Sequence, residues 1–199
     1  MKIIITVIFC VILTQAYFQQ ILNSCLEVPG MPNFDSKKYF QGTWYITHVQ
    51  HGIPSSVCRT IKSSLKPDGS LEQITYGYSL YGTLKRFYKI ECNDKESSFL
   101  QKGNVSLVCL IMLDTINAEK MFHIKGVVIE TDYDHFSIFY RCAWDAENIG
   151  DNVVILSREK SAYPADVEPK LEEALENFGL SINDFISRDD FDCKTHPEE

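Results

Sequence analysis

The sequence predicts an all-β protein: an eight-stranded antiparallel barrel with one C-terminal α-helix packed outside it. Two observations carry this. From Thr43 to Arg158, short β-rich segments follow one another, separated by polar turns, with no linker, repeat or low-complexity stretch. From Pro164 to Asn177 the composition shifts to Glu, Leu and Ala, and Leu171, Leu175 and Phe178 recur at helical spacing. Eight antiparallel strands close into a barrel whose interior holds one small ligand.

The expected strands are Thr43–Val49, Ser55–Leu65, Leu71–Tyr78, Thr83–Glu91, Val105–Leu113, Met121–Thr131, Phe136–Cys142 and Val153–Arg158. Ser55–Leu65 has the weakest pattern of the set. The helix is expected to take Asp166 as its N-cap and to stop at Gly179, with its apolar stripe on the barrel wall.

Ahead of the strands, Lys2 precedes an apolar run to Leu13, and Ala16 offers a small residue for cleavage. A spanning helix needs roughly 20 apolar residues, and this run is shorter. Residues 1–16 therefore read as a secretory signal peptide, with an end as late as residue 24, and 25–199 as one domain. The protein is expected to be secreted, to have no membrane partner and to be monomeric.

Losing Lys2 leaves 18 basic against 27 acidic residues, so the formal charge moves from −8 to −9. That balance argues against nucleic acid, whose binding relies on phosphate neutralisation. Losing Cys10 leaves six cysteines, and an even number behind a signal peptide reads as three disulfides. Sequence alone leaves their connectivity open. No metal-ligand spacing is evident, and Asn104-Val105-Ser106 is a glycosylation sequon. No nucleophile motif, paired carboxylate or phosphate-binding loop suggests an enzyme.

Three motifs then fall in order: Gly42-Thr43-Trp44 opening the first strand, Thr131-Asp132-Tyr133 in a late turn, and Arg158 closing the last strand. This set resembles the signature of lipocalins, in which the Arg packs on the Trp at the closed end of the barrel. A closer resemblance runs through Lys38-Tyr39-Phe40-Gln41-Gly42-Thr43-Trp44-Tyr45-Ile46-Thr47-His48 and Asn183-Asp184-Phe185-Ile186-Ser187. These stretches are similar to salivary lipocalins of blood-feeding triatomine bugs, a group that includes haem-carrying nitrophorins and the triabin- and pallidipin-like inhibitors of haemostasis. The resemblance implies the pairs Cys25–Cys142, Cys58–Cys193 and Cys92–Cys109.

It also implies a binding function. The position matching the iron-ligating His of nitrophorins is Gly77, so no haem or other cofactor is expected. Strand alternation places Ile46 and His48 on the Trp44 face, lining the cavity. Thr75, Gly77, Ala143 and Val154 complete the expected lining. Arg141 is the sharpest candidate, but its facing is open. Apolarity turns Phe136, Ile138 and Tyr140 inward, whereas the resemblance turns Arg141 and Ala143 inward. An inward Arg141 needs a partner, which a ligand carboxylate supplies. The expected function is sequestration of a small hydrophobic or amphipathic host mediator, an eicosanoid such as thromboxane, that impairs platelet aggregation. One alternative is inhibition of a host clotting or contact-pathway protein through the acidic outer surface. Another is scavenging of a biogenic amine.

Overall fold

The computed structural model describes residues 24–81, 84–94, 102–113, 116–160, 163–164 and 166–199. The expected signal peptide lies outside them, apart from the latest end considered for it.

The strands are β1 (Gln41–Val49), β2 (Thr60–Leu65), β3 (Leu71–Tyr81), β4 (Leu84–Asp94), β5 (Asn104–Leu113), β6 (Ile116–Thr131), β7 (Phe136–Trp144) and β8 (Ile149–Ser157). Each pairs antiparallel with its sequence neighbour, and β1 pairs with both β8 and β2, which closes the barrel. A two-residue strand, β9 (Ile186–Ser187), adds to the free stretch of β1. The weak segment 55–65 splits. Pro54–Cys58 forms a 3₁₀ turn with proline in its first turn, and only Thr60 onward extends as strand.

Register defines the inside. Trp44 and Ile46 pack with Leu71, Val105, Leu107, Val154 and Leu156 in one buried cluster, the barrel interior. Pairing carries that face around the wall: Gly77 opposes Tyr88, Val105 opposes Gly126, Gly126 opposes Arg141, and Arg141 opposes Asn152. The opposite face of β7, with Phe136, Ile138 and Tyr140, belongs to a second cluster with Val167, Leu171, Ala174 and Leu175. Those last residues come from α2 (Glu168–Glu176) and the residue before it. Helix-covered barrels are apolar on both faces, so the apolar triplet of β7 is the outer one.

Two helix details differ from expectation. Val167 caps α2 without a side-chain hydrogen bond, while Asp166 sits in the preceding turn. Phe178 is exposed, because the chain has left the helix by then. A short helix that the strand pattern did not announce, α1 (Ser36–Tyr39), starts where Asp35 accepts hydrogen bonds from the Lys37 and Lys38 amides.

The closed end gathers the signature residues. The Arg158 guanidinium lies 3.6 Å from the Trp44 ring centroid and donates to the carbonyls of Tyr133, Gln41, Thr43, Lys38 and Tyr39. Thr131 and Asp132 order their turn by accepting amides, and Gly42 takes a left-handed φ of 69°. The cysteines join as Cys25–Cys142, Cys58–Cys193 and Cys92–Cys109, the pairing that the resemblance implies. The first two tie chain ends to the wall, and the third bridges directly opposed residues of β4 and β5.

Candidate functional site

The open end holds a cavity of 450 Å³ between the loop after β1 and the β7–β8 hairpin. Arg141 and Ala143 line it from β7, Phe122 from β6, and His51 and Ser56 from the loop. Asn152 fixes one side. Its side-chain oxygen accepts from the Gln50 and His51 amides at 3.1 and 3.2 Å, and its amide donates to the His51 carbonyl. At the rim, Lys120 and Asp145 form an ion pair of 2.7 Å, which holds the Asp145 carboxyl well below the usual carboxylate range.

Arg141 dominates the chemistry. Its side chain is half-buried, facing into the open end of the barrel. Burial, followed by the nearby Arg59 guanidinium, pushes its pKa down to about 9, with Tyr88 opposing. It remains a cation at neutral pH. Among the described residues no carboxylate lies within ion-pair distance of Arg141 or Arg59. Arg59 Nε donates to the Tyr88 hydroxyl at 2.7 Å, with its guanidinium 5.9 Å from the ring centroid. Tyr88 in turn roofs Gly77: a Cβ there would lie 2.5 Å from Oη and 2.6 Å from Cζ. Phe139 fills the space above Gly126 in the same way. Rings thus occupy the middle of the barrel, and the cavity lies above them.

The expected lining residues divide. Arg141 and Ala143 meet in the cavity. Ile46 and Val154 face inward but are packed into the core at 1% exposure each. Thr75 shares the inward parity of Gly77 and opposes Ile61 and Ile90. Gly77 is covered by Tyr88. His48 is a correction. A β-bulge between Ile46 and His48 shifts the pairing, so that Ile46 opposes inward Leu156 whereas His48 opposes outward Ile155. Its Nδ1 meets Thr47 Oγ1 at 3.1 Å and its ring stacks on Tyr163, in a small cleft against α2. Burial lowers its pKa against the pull of Asp189 and Asp190. Asn104 opens β5, half-buried, and donates to the Lys102 carbonyl at 3.0 Å.

Arg59 escaped the sequence reading. It follows Cys58 in the weakest segment, and only the β2–β3 register reveals its inward parity.

An iron-held haem does not fit these residues. Gly77 is covered, and no described histidine projects from a strand into the barrel. His48 and His123 face outward, His51 is in the rim loop, His135 is in the closed-end turn and His196 is in the C-terminal tail.

Comparison with known proteins agrees with this architecture. The profile of the Nitrophorin family matches residues 25–199. Triafestin-2 of Triatoma infestans is 31% identical, over 96% of this chain and 92% of its own. Pallidipin of Meccus pallidipennis is 27% identical, over 97% and 98%. Platelet inhibitor triplatin-2 of Triatoma infestans is 25% identical, over 97% and 100%. Among solved structures, the amine-binding protein of Rhodnius prolixus in its tryptamine complex superposes with a TM-score of 0.73 at 20% identity, over 87% of this chain and 91% of that one, which is a likeness of fold.

Proposed function

The chain belongs to the nitrophorin family, and from that premise we propose that it is a secreted salivary binding protein that impairs host platelet aggregation by sequestering a small carboxylate-bearing mediator, an eicosanoid such as thromboxane. One observation carries the ligand class: Arg141 is a cation inside an apolar barrel, open to the mouth and without an acidic partner among the described residues. An enclosed charge left unpaired is costly, and a ligand carboxylate relieves that cost with paired hydrogen bonds. Phe122 and Ala143 beside it suit a hydrocarbon chain. A mediator burying roughly 400 Å² of apolar surface gains about 10 kcal/mol, enough to leave useful affinity after association costs. The role in platelet inhibition is supported by the name and similarity of triplatin-2.

The same cations disfavour a biogenic amine as ligand. The mouth carboxylates are already engaged: Asp145 by Lys120 and Asp151 by the Tyr140 hydroxyl. A protein target would instead meet the outer face, where Glu168, Glu172, Glu173, Glu176, Asp189, Asp190 and Asp192 are exposed.

Calorimetric titration of the processed protein with a stable thromboxane analogue tests the proposal. The expected result is a one-to-one isotherm of submicromolar affinity that weakens at least tenfold in Arg141→Ala. No heat with thromboxane or leukotriene analogues rejects the eicosanoid reading and turns attention to the acidic face.

A further inference from the structure

We infer that Arg59 and the Tyr88 hydroxyl belong to the same binding site as Arg141, so that the ligand's anionic group is held between two guanidiniums rather than on one. The inference rests on the reading that the cavity takes a carboxylate-bearing mediator, and adds to it the residues that set head-group specificity.

Geometry brings the three together. Gly77 lies on the inward face of β3, and the Tyr88 ring from neighbouring β4 lies flush on it, which fixes the hydroxyl inside the barrel. Arg59 enters from the residue just before β2 and spends one donor, Nε, on that hydroxyl at 2.7 Å. Its remaining N–H groups have no acceptor among the described residues. Arg141 shares that inward face from β7, opposite Gly126, and lines the cavity. Two like charges on the inward face of one barrel repel, and a single anion bound to both converts that repulsion into two attractions.

Arg59 is also held in place before any ligand arrives. Its carbonyl accepts from the Ile46 amide at 3.0 Å. The preceding Cys58 is bonded to Cys193, and Arg188 donates to the carbonyls of Val57 and Ile46 at 3.0 and 3.2 Å. A backbone fixed in this way presents its cation at little entropic cost on binding. Phe122 and Ala143 line the cavity beside Arg141, which suits an amphipathic monocarboxylate rather than a small inorganic anion.

The test compares arachidonate, its methyl ester and inorganic phosphate on wild type, Arg59→Gln, Arg141→Gln and the double variant, by calorimetry. The thromboxane analogue and a leukotriene analogue are titrated in parallel. Arachidonate should lose about tenfold or more in each single variant. The two losses should not multiply in the double variant, because both groups hold one carboxylate. The ester should bind equally to all four proteins, and phosphate to none. Arg59→Lys, which keeps the charge, should recover part of the affinity. If Arg59→Gln fails to fold, Tyr88→Phe removes only the hydroxyl that aims Arg59 and should weaken arachidonate but not the ester.

Unchanged arachidonate affinity in Arg59→Gln or Tyr88→Phe, beside a loss in Arg141→Gln, overturns the inference while leaving the eicosanoid reading intact. Failure of wild type to bind any of the carboxylates overturns it as well. If arachidonate binds through both arginines and neither the thromboxane nor the leukotriene analogue binds, the two-guanidinium site stands and the eicosanoid reading falls.

Discussion

Replacing Arg141 with Met should make the ligand-free protein more stable and at the same time weaken binding of the proposed carboxylate ligand at least tenfold. Burial and the nearby Arg59 guanidinium push the pKa of the Arg141 guanidinium down to about 9. At about 1.36 kcal/mol per pKa unit, the charged form is disfavoured by about 5 kcal/mol at most. The side chain is only half-buried, and solvent screening leaves about 1–3 kcal/mol. The sign follows from proton counting. The unfolded chain keeps this proton to higher pH than the folded chain, which releases it near pH 9, so stability rises as pH climbs past about 9. Below it, including at pH 7, the destabilisation is present in full. Methionine fills similar space without the charge. For a domain of this size the gain raises the melting temperature by roughly 2–12 °C. Scanning calorimetry with and without the thromboxane analogue reads both effects. Without ligand the variant should melt higher. At 100 times the dissociation constant wild type gains about 2.7 kcal/mol and the variant far less, so the order narrows or reverses. A ligand-free variant that melts at or below wild type refutes the view that Arg141 is an uncompensated charge.

Other positions give sharper structural tests. Arg158→Ala removes the stack on Trp44 and a fork of carbonyl hydrogen bonds at a half-buried site, and should cost about 2–4 kcal/mol in urea unfolding with an unchanged m-value. A loss under 1 kcal/mol would remove this contact as a clasp of the closed end. Gly126→Ala drives a Cβ into Phe139 and to within 2.6 Å of Val105 Cγ2, and should destabilise by about 1–3 kcal/mol. Equal stability would mean that the ring moves freely. His48 has a folded pKa below its unfolded 6.5, so its contribution is present above pH 6.5 and lost as pH falls through the lower folded value. His48→Asn should flatten stability against pH in that acidic range and leave ligand affinity within about twofold, since His48 lies outside the barrel. A large affinity loss would return it to the binding site.

The strands, the helix and the closed end were legible because each depends on local pattern: alternation, helical spacing, and a glycine, tryptophan and arginine at fixed places. What the chain hid depends on pairing. One extra residue at Thr47 reversed His48 without any mark in the sequence. The facing of β7 could not be decided from apolarity, because Ile138 and Tyr140 meet Leu171 and Leu175 of a helix some thirty residues later. Gly77 reads as an absent iron ligand, but that it is covered by Tyr88 follows only from the β3–β4 register. Arg59 was missed for a similar reason. Its neighbours in sequence are a proline-led turn and a disulfide, and its partners in space come from β4 and β7.

The ring-over-glycine pairs, Tyr88 on Gly77 and Phe139 on Gly126, separate the shape of the barrel from the depth of its pocket. The backbone wall stays the same whichever side chain covers the glycine. Trimming either ring would deepen the pocket toward the floor, and enlarging a ring would make it shallower, without moving a strand. Single changes at these two interior positions would therefore reset the depth available to a ligand, while the closed end and the disulfides stay as they are.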